Sequence, residues 1–158
     1  MAFSEAVVID RRPEEVFDRL TDLAGSLAKL RKSAPLEIER LSGGGELTAG
    51  AAWRISGETR LGRRTGRVEI TGMSPPDHLA FLSTGRGFAL NTVITISAAG
   101  ASRSRLEAAN ELFAMTFAAR LLAPAIRLSR RRVVKGLRKG LRRLKKRLEV
   151  EPAPASGA

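Results

Sequence analysis

The chain has no cysteine and no tyrosine, and its 158 residues include one histidine and one tryptophan. Without cysteine there is no disulfide, no thiolate metal site and no cysteine nucleophile, and a reducing compartment would not harm the protein. The single histidine, His78, follows Pro75, Pro76 and Asp77 in a turn-like stretch, so it reads as structural or incidental. Metal ligation would fall to carboxylates, and no acidic cluster has ligand spacing, so neither a metal nor a cofactor is expected. Gly43, Gly44 and Gly45 lack the Lys-Ser/Thr that would make a phosphate loop and read instead as a hairpin turn. No serine sits in a nucleophile elbow. No apolar run reaches the roughly 18 residues that would suggest a membrane span, and Met1 to Glu5 do not begin a secretion signal. The expectation is a soluble cytoplasmic protein whose membrane role, if any, lies at the inner surface.

Acid is missing from one region. Residues 115–149 hold thirteen Lys and Arg and one carboxylate, Glu149, a net +12 that equals the formal charge of the whole protein. The rest is nearly balanced, and with 43% apolar residues the composition is that of a folded domain. One domain is expected over residues 1–149, with 130–148 as a cationic amphipathic extension and 150–158 as a disordered tail.

The order of elements follows from periodicity and punctuation. Residues 6–10 form a short apolar run rich in β-branched residues, and Pro13 suits the first turn of a helix carrying Val16, Phe17 and Leu20. Leu23, Leu27 and Leu30 continue at helical spacing past Gly25, predicting a second short helix. From Leu36 to Leu112, turn signals recur about every ten residues, which suits an antiparallel meander. Trp53 and Ile55 alternate with Arg54 and Ser56, Val68 and Ile70 with Arg67 and Glu69, and Leu106, Ala108 and Asn110 with Arg105 and Glu107. One face of the sheet is covered and one is wet. A final helix is predicted over residues 115–148, bent at Pro124. Its first part is apolar on two sides, with Leu122 and Ile126 opposite Phe117, Leu121 and Leu128, and so reads as enclosed; its second part has one apolar stripe.

A strand, two short helices, an antiparallel run and a long last helix make a recognisable order. With the opening Ala6-Val7-Val8-Ile9-Asp10-Arg11-Arg12-Pro13-Glu14-Glu15-Val16-Phe17, the step Thr21-Asp22-Leu23 and the close Leu144-Lys145-Lys146-Arg147-Leu148-Glu149, it resembles the START/Bet v 1-like superfamily, also called SRPBCC or polyketide cyclase/dehydrase-like, over residues 3–149. The resemblance implies an α+β helix-grip fold, a curved antiparallel sheet around the long helix with an apolar cavity between them. Alternation then nominates Trp53, Ile55, Val68, Ile70, Phe81, Phe88, Leu106, Phe117 and Leu121 as ligand-pocket residues, although each also suits plain core. Gly57, Gly66, Ala108 and Ala119 would leave space among them. Asn91 and Asn110, with Thr92 and Arg86, are the polar groups that could orient a bound molecule, and no catalytic residue is assigned.

The basic helix asks for an anionic partner. Arg130, Arg131, Arg132, Lys135, Arg138, Lys139, Arg142, Arg143, Lys145, Lys146 and Arg147 repel one another with no acid among them. An anionic membrane surface would offset this at about 1 kcal/mol per engaged residue. The sequence therefore points to a carrier or binder of a hydrophobic small molecule or lipid, peripheral to anionic membrane. A cyclase- or dehydratase-like enzyme and a non-specific nucleic-acid binder are the alternatives.

Overall fold

The computed structural model describes residues 1–25, 36–42, 48–59 and 62–150. Seven strands form one antiparallel sheet: β1 (Ala2–Ile9), β2 (Leu36–Ser42), β3 (Ala52–Thr59), β4 (Gly62–Ser74), β5 (His78–Gly85), β6 (Phe88–Ala98) and β7 (Ser104–Ala114). Their order is β1-β7-β6-β5-β4-β3-β2, a meander whose last strand pairs back onto the first. Helix α1 (Pro13–Gly25) follows β1, and α2 (Phe117–Leu128) and α3 (Arg130–Val150) follow β7. The second short helix expected at Leu27 and Leu30, the Gly43–Gly45 turn and the tail from 151 lie outside the described residues.

Cross-strand register puts the apolar alternates on one face. Trp53 pairs with Val68, Ile70 with Phe81, Leu79 with Ile94, and Ile96 with Leu106. Irregular register at Arg40/Ser42 and at Ile70/Gly72 bends the strands that carry it. The covered face meets Val16, Phe17 and Leu20 of α1 and Leu141 and Leu148 of α3 in one core with Ile9, Ile94, Ile96 and Leu106. Each fully buried leucine of α3 contributes about 1.5–3 kcal/mol relative to exposure.

α3 lies along β1, the edge strand, and is fastened there by polar contacts. The Lys145 ammonium donates to the Val8 carbonyl at 2.8 Å, and Arg138 pairs with Glu5 at 2.8 Å. Its C-terminal carbonyls accept from two guanidiniums, Arg19 to Leu148 O at 2.9 Å and Arg11 to Glu149 O at 2.8 Å. The Asp10 N–H donates to the Glu149 carboxylate at 2.9 Å. Cations at a helix C-terminus also suit its dipole.

The single helix expected over 115–148 is two helices. The chain enters α2 through Thr116, whose hydroxyl accepts from the Ala119 N–H at 3.2 Å. Pro124 sits inside α2, and the interruption comes five residues later at Ser129, where φ is −88° and ψ is 9°. The Ser129 N–H is shared between the carbonyls of Ala125 and Ile126, and its own carbonyl accepts from Arg132 and Val133. The break falls where the apolar segment gives way to three successive arginines.

Candidate functional site

The covered face of the sheet is not filled evenly. Over the part of β6 and β7 that carries Ile94, Ile96, Leu106 and Ala108 it is closed by α1 and α3, and those four residues are buried. Toward β3, β4 and β5 it opens into a hollow of about 380 Å³ that Ile55, Val68, Gly57, Gly66 and Gly85 help to line. The glycines lie close together: Gly66 pairs with Ile55, and a Cβ on Gly85 would come 3.6 Å from the Gly66 Cα. Backbone thus forms floor where side chains would otherwise stand.

A second hollow of about 330 Å³ lies between α2 and the neighbouring end of the sheet. Phe88, Leu112 and Ala114 line it from β6 and β7, with Met1 beside them; Ala123, Pro124 and Ile126 line it from α2. Arg120 and Arg127 complete the wall and are exposed. Among the described residues neither guanidinium has an ion-pair partner.

α2 is apolar on both faces, and only one is covered. Ala119 is buried, and Ala123 and Ile126 are half-buried. On the other face Phe117 is 76% exposed, Leu121 67% and Leu128 88%, with Met115 at 63% just before the helix. The N-terminus of α2 rests on the β5–β6 turn, where the Met115 N–H donates to the Gly87 carbonyl at 2.6 Å.

The nominated pocket residues separate into groups. Ile55 and Val68 line the first hollow and Phe88 the second. Trp53, Ile70 and Leu106 are packed into the core, with Phe81 half-buried against it; the Arg40 guanidinium lies 5.1 Å above the Trp53 ring. Asn110 is buried on the covered face and accepts from the Thr92 hydroxyl at 2.8 Å, so these two polar groups satisfy one another. Three nominations need correction. Asn91 pairs with Leu82 and Glu111 on the opposite face of the sheet, as alternation from Thr92 demands. Phe117 and Leu121 point away from the sheet, because α2 turns Ala119, Ala123 and Ile126 toward it. The signal missed was the pair Arg120 and Arg127, seven apart and hence on one side of α2.

The eleven basic residues also separate. Arg130, Arg131, Arg132, Lys135, Lys139, Arg142, Arg143, Lys146 and Arg147 are exposed. Arg138 and Lys145 are engaged within the molecule, with Glu5 and with Val8 and Glu149 respectively. The hydrogen bond from Arg138 holds the Glu5 carboxyl below its ordinary value, and the charges of Arg138 and Arg142 act in the same direction against partial desolvation. Among the described residues no helix is long and apolar enough to cross a membrane, and no cluster of three potential metal ligands occurs.

Comparison with known proteins identifies the arrangement. A family model described as polyketide cyclase / dehydrase and lipid transport matches residues 1–149. No curated protein matches the sequence. Truncated norcoclaurine synthase from Thalictrum flavum superposes with a TM-score of 0.68 at 11% identity, covering 96% of this chain and 94% of that one. A protein from Thermus thermophilus gives 0.62 at 16% identity, with 94% and 97% covered. Ara h 8.0201 gives 0.59 at 15% identity, with 73% and 78% covered. At these identities the likeness is one of fold, and the fold is the helix grip of the Bet v 1-like proteins.

Proposed function

The chain belongs to the polyketide cyclase / dehydrase and lipid transport family, and on that footing we propose that it binds a hydrophobic small molecule or lipid between the sheet and its C-terminal helices while resting on anionic membrane. The observation that carries this reading is the two-faced helix α2. Its inner face roofs an apolar-lined hollow, its outer face presents Phe117, Leu121 and Leu128 to solvent, and the next helix is strongly cationic. A contiguous exposed apolar patch marks an interaction surface more often than it marks idle surface. The basic helix beside it would draw that patch toward anionic headgroups.

A family enzyme that turns over its ligand would need polar groups aimed at it. Of the polar groups nominated from sequence, Thr92 and Asn110 are bonded to each other and line neither hollow, and Arg86 alone lines one, the first. That favours binding over turnover as the reading to test. Native mass spectrometry of protein purified from its own host, followed by organic extraction, is the experiment. A co-purifying apolar compound in near-stoichiometric amount is expected; a clean apo mass, together with no uptake of added apolar compounds, would overturn the ligand-binding reading.

A further inference from the structure

The hollow beneath α2 has an apolar interior and a cationic mouth, and that combination selects a ligand class. Phe88, Leu112 and Ala114 form its floor, and Ala123 and Ile126 its roof. None of these side chains can hydrogen-bond, so an alkyl or similarly apolar group fits between them; Met1 also lines the hollow, and its ammonium donates to the Leu112 carbonyl at 2.9 Å. Arg120 and Arg127 stand on the same wall, two helical turns apart, about 10 Å along the axis. An arginine in such a place lays its methylenes along apolar surface and keeps its guanidinium in water. The local sequence offers no acid beside the pair, since none occurs from residue 112 to residue 148. Among the described residues neither makes an ion pair or a side-chain hydrogen bond, in contrast to Arg138, which β1 supplies with Glu5.

We propose that this hollow binds a single-chain amphiphile with an anionic head, its tail between the sheet and α2 and its carboxylate or phosphate at Arg120 and Arg127. The proposal rests on the reading of the protein as a binder of apolar molecules and narrows the ligand to acids. Guanidinium forks match carboxylate and phosphate oxygens in geometry as well as charge. The volume of about 330 Å³ lies at the lower end of the range of small-molecule sites, which suits one chain better than two. General attraction of anions to a +12 protein would not distinguish this mouth from the rest of the surface. Removing these two charges would.

The test titrates the full chain with dodecanoate, dodecyl phosphate and dodecanol below their aggregation concentrations, by calorimetry. At least one of the two acids is expected to bind ten-fold or more tighter than the alcohol, and which of them does so identifies a fatty-acid-like or a phospholipid-like head. Arg120→Gln with Arg127→Gln should abolish that preference, bringing acid and alcohol to similar affinity, while circular dichroism stays that of the parent. Ala123→Phe should weaken all three probes by filling the roof. Equal binding of acid and alcohol by the parent chain, or a preference that survives the double substitution, would overturn the head-group assignment and leave the broader reading standing. Binding of none of the three overturns the assignment; the broader reading falls with it only if the host-purified protein also carries no apolar compound.

Discussion

At Gly87, φ is +79°, and a Cβ there would run into the Thr116 hydroxyl and lie 3.2 Å from the Ala119 Cβ. Both neighbours belong to the start of α2, so this turn glycine is what lets the helix settle on the β5–β6 hairpin. Gly87→Ala combines a left-handed backbone that alanine resists with a collision against a helix cap. It should cost about 1–3 kcal/mol in urea unfolding, and a loss below about 0.5 kcal/mol would show that α2 is not seated as described. Gly85-Arg86-Gly87 reads as one of the recurring turn signals, yet nothing local to it announces Thr116, twenty-nine residues from Gly87. Asn91 and Asn110 show the other side of residue-level reading. By residue type both suit a polar group near a ligand, but strict alternation from Thr92 puts Asn91 on the opposite face, and cross-strand register pairs Asn110 with Thr92. Counting the period through the strand would have excluded Asn91 without coordinates.

α3 holds to β1 through an apolar stripe and a few charges, and the two respond differently to pH. Leu141 and Leu148 are buried and carry no titratable group. Glu5 does not remain charged. Its carboxyl is held below 4.5, first by the hydrogen bond from Arg138 and then by nearby positive charge. A depressed carboxylate contributes stability that is complete above its unfolded value and disappears as pH falls through the folded one. Thermal unfolding should therefore show the parent slightly more stable than Glu5→Gln at pH 7, with the gap closing as pH falls well below 4.5. A gap that persists at pH 2.5 would mean that Glu5 acts by packing and not by charge. The effect is small because the Arg138 side chain is about half exposed and such pairs are worth little. At this scale the sequence was informative: the antiparallel meander follows from turn spacing, and the covered alternates and the apolar stripe through Leu137, Leu141, Leu144 and Leu148 follow from periodicity, whereas the return of β7 onto β1 does not. What it hid was the helix break at Ser129: Arg130 falls inside the apolar stripe and interrupts it, but a polar residue in a stripe does not by itself end a helix, and the bridge-region backbone of Ser129 is visible only in the structure. It also hid which cations are engaged, because the partners of Arg138 and Lys145 lie on β1, more than 130 residues away.

The whole molecule is a balanced body with an apolar helix and a cationic helix at one end of its chain, and the sequence composition already displayed that division. It could not show that the apolar part is half bare. Phe117, Leu121 and Leu128 were expected to be enclosed on both sides, and instead nothing within the described residues covers their face. Burying them in the interfacial region of a bilayer would recover about 25 cal/mol for each Å² of apolar surface removed from water. Attraction of the basic helix to anionic lipid adds about 1 kcal/mol per engaged residue and weakens with salt. The two contributions can be separated by substitution, provided that residues holding α3 to the body are avoided. Arg138 and Lys145 are unsuitable on that ground, whereas Arg132, Lys139 and Arg143 are exposed and form no ion pair among the described residues. Changing those three to glutamine should weaken sedimentation with vesicles containing phosphatidylserine by about 100-fold at low salt, equivalent to about 3 kcal/mol. Leu121→Ser with Leu128→Ser should instead remove the binding that survives at high salt, where the charges are screened. Vesicle affinity unchanged by both sets, or tight duplex binding with a steep salt slope and no vesicle binding at all, would assign the basic helix to a different partner.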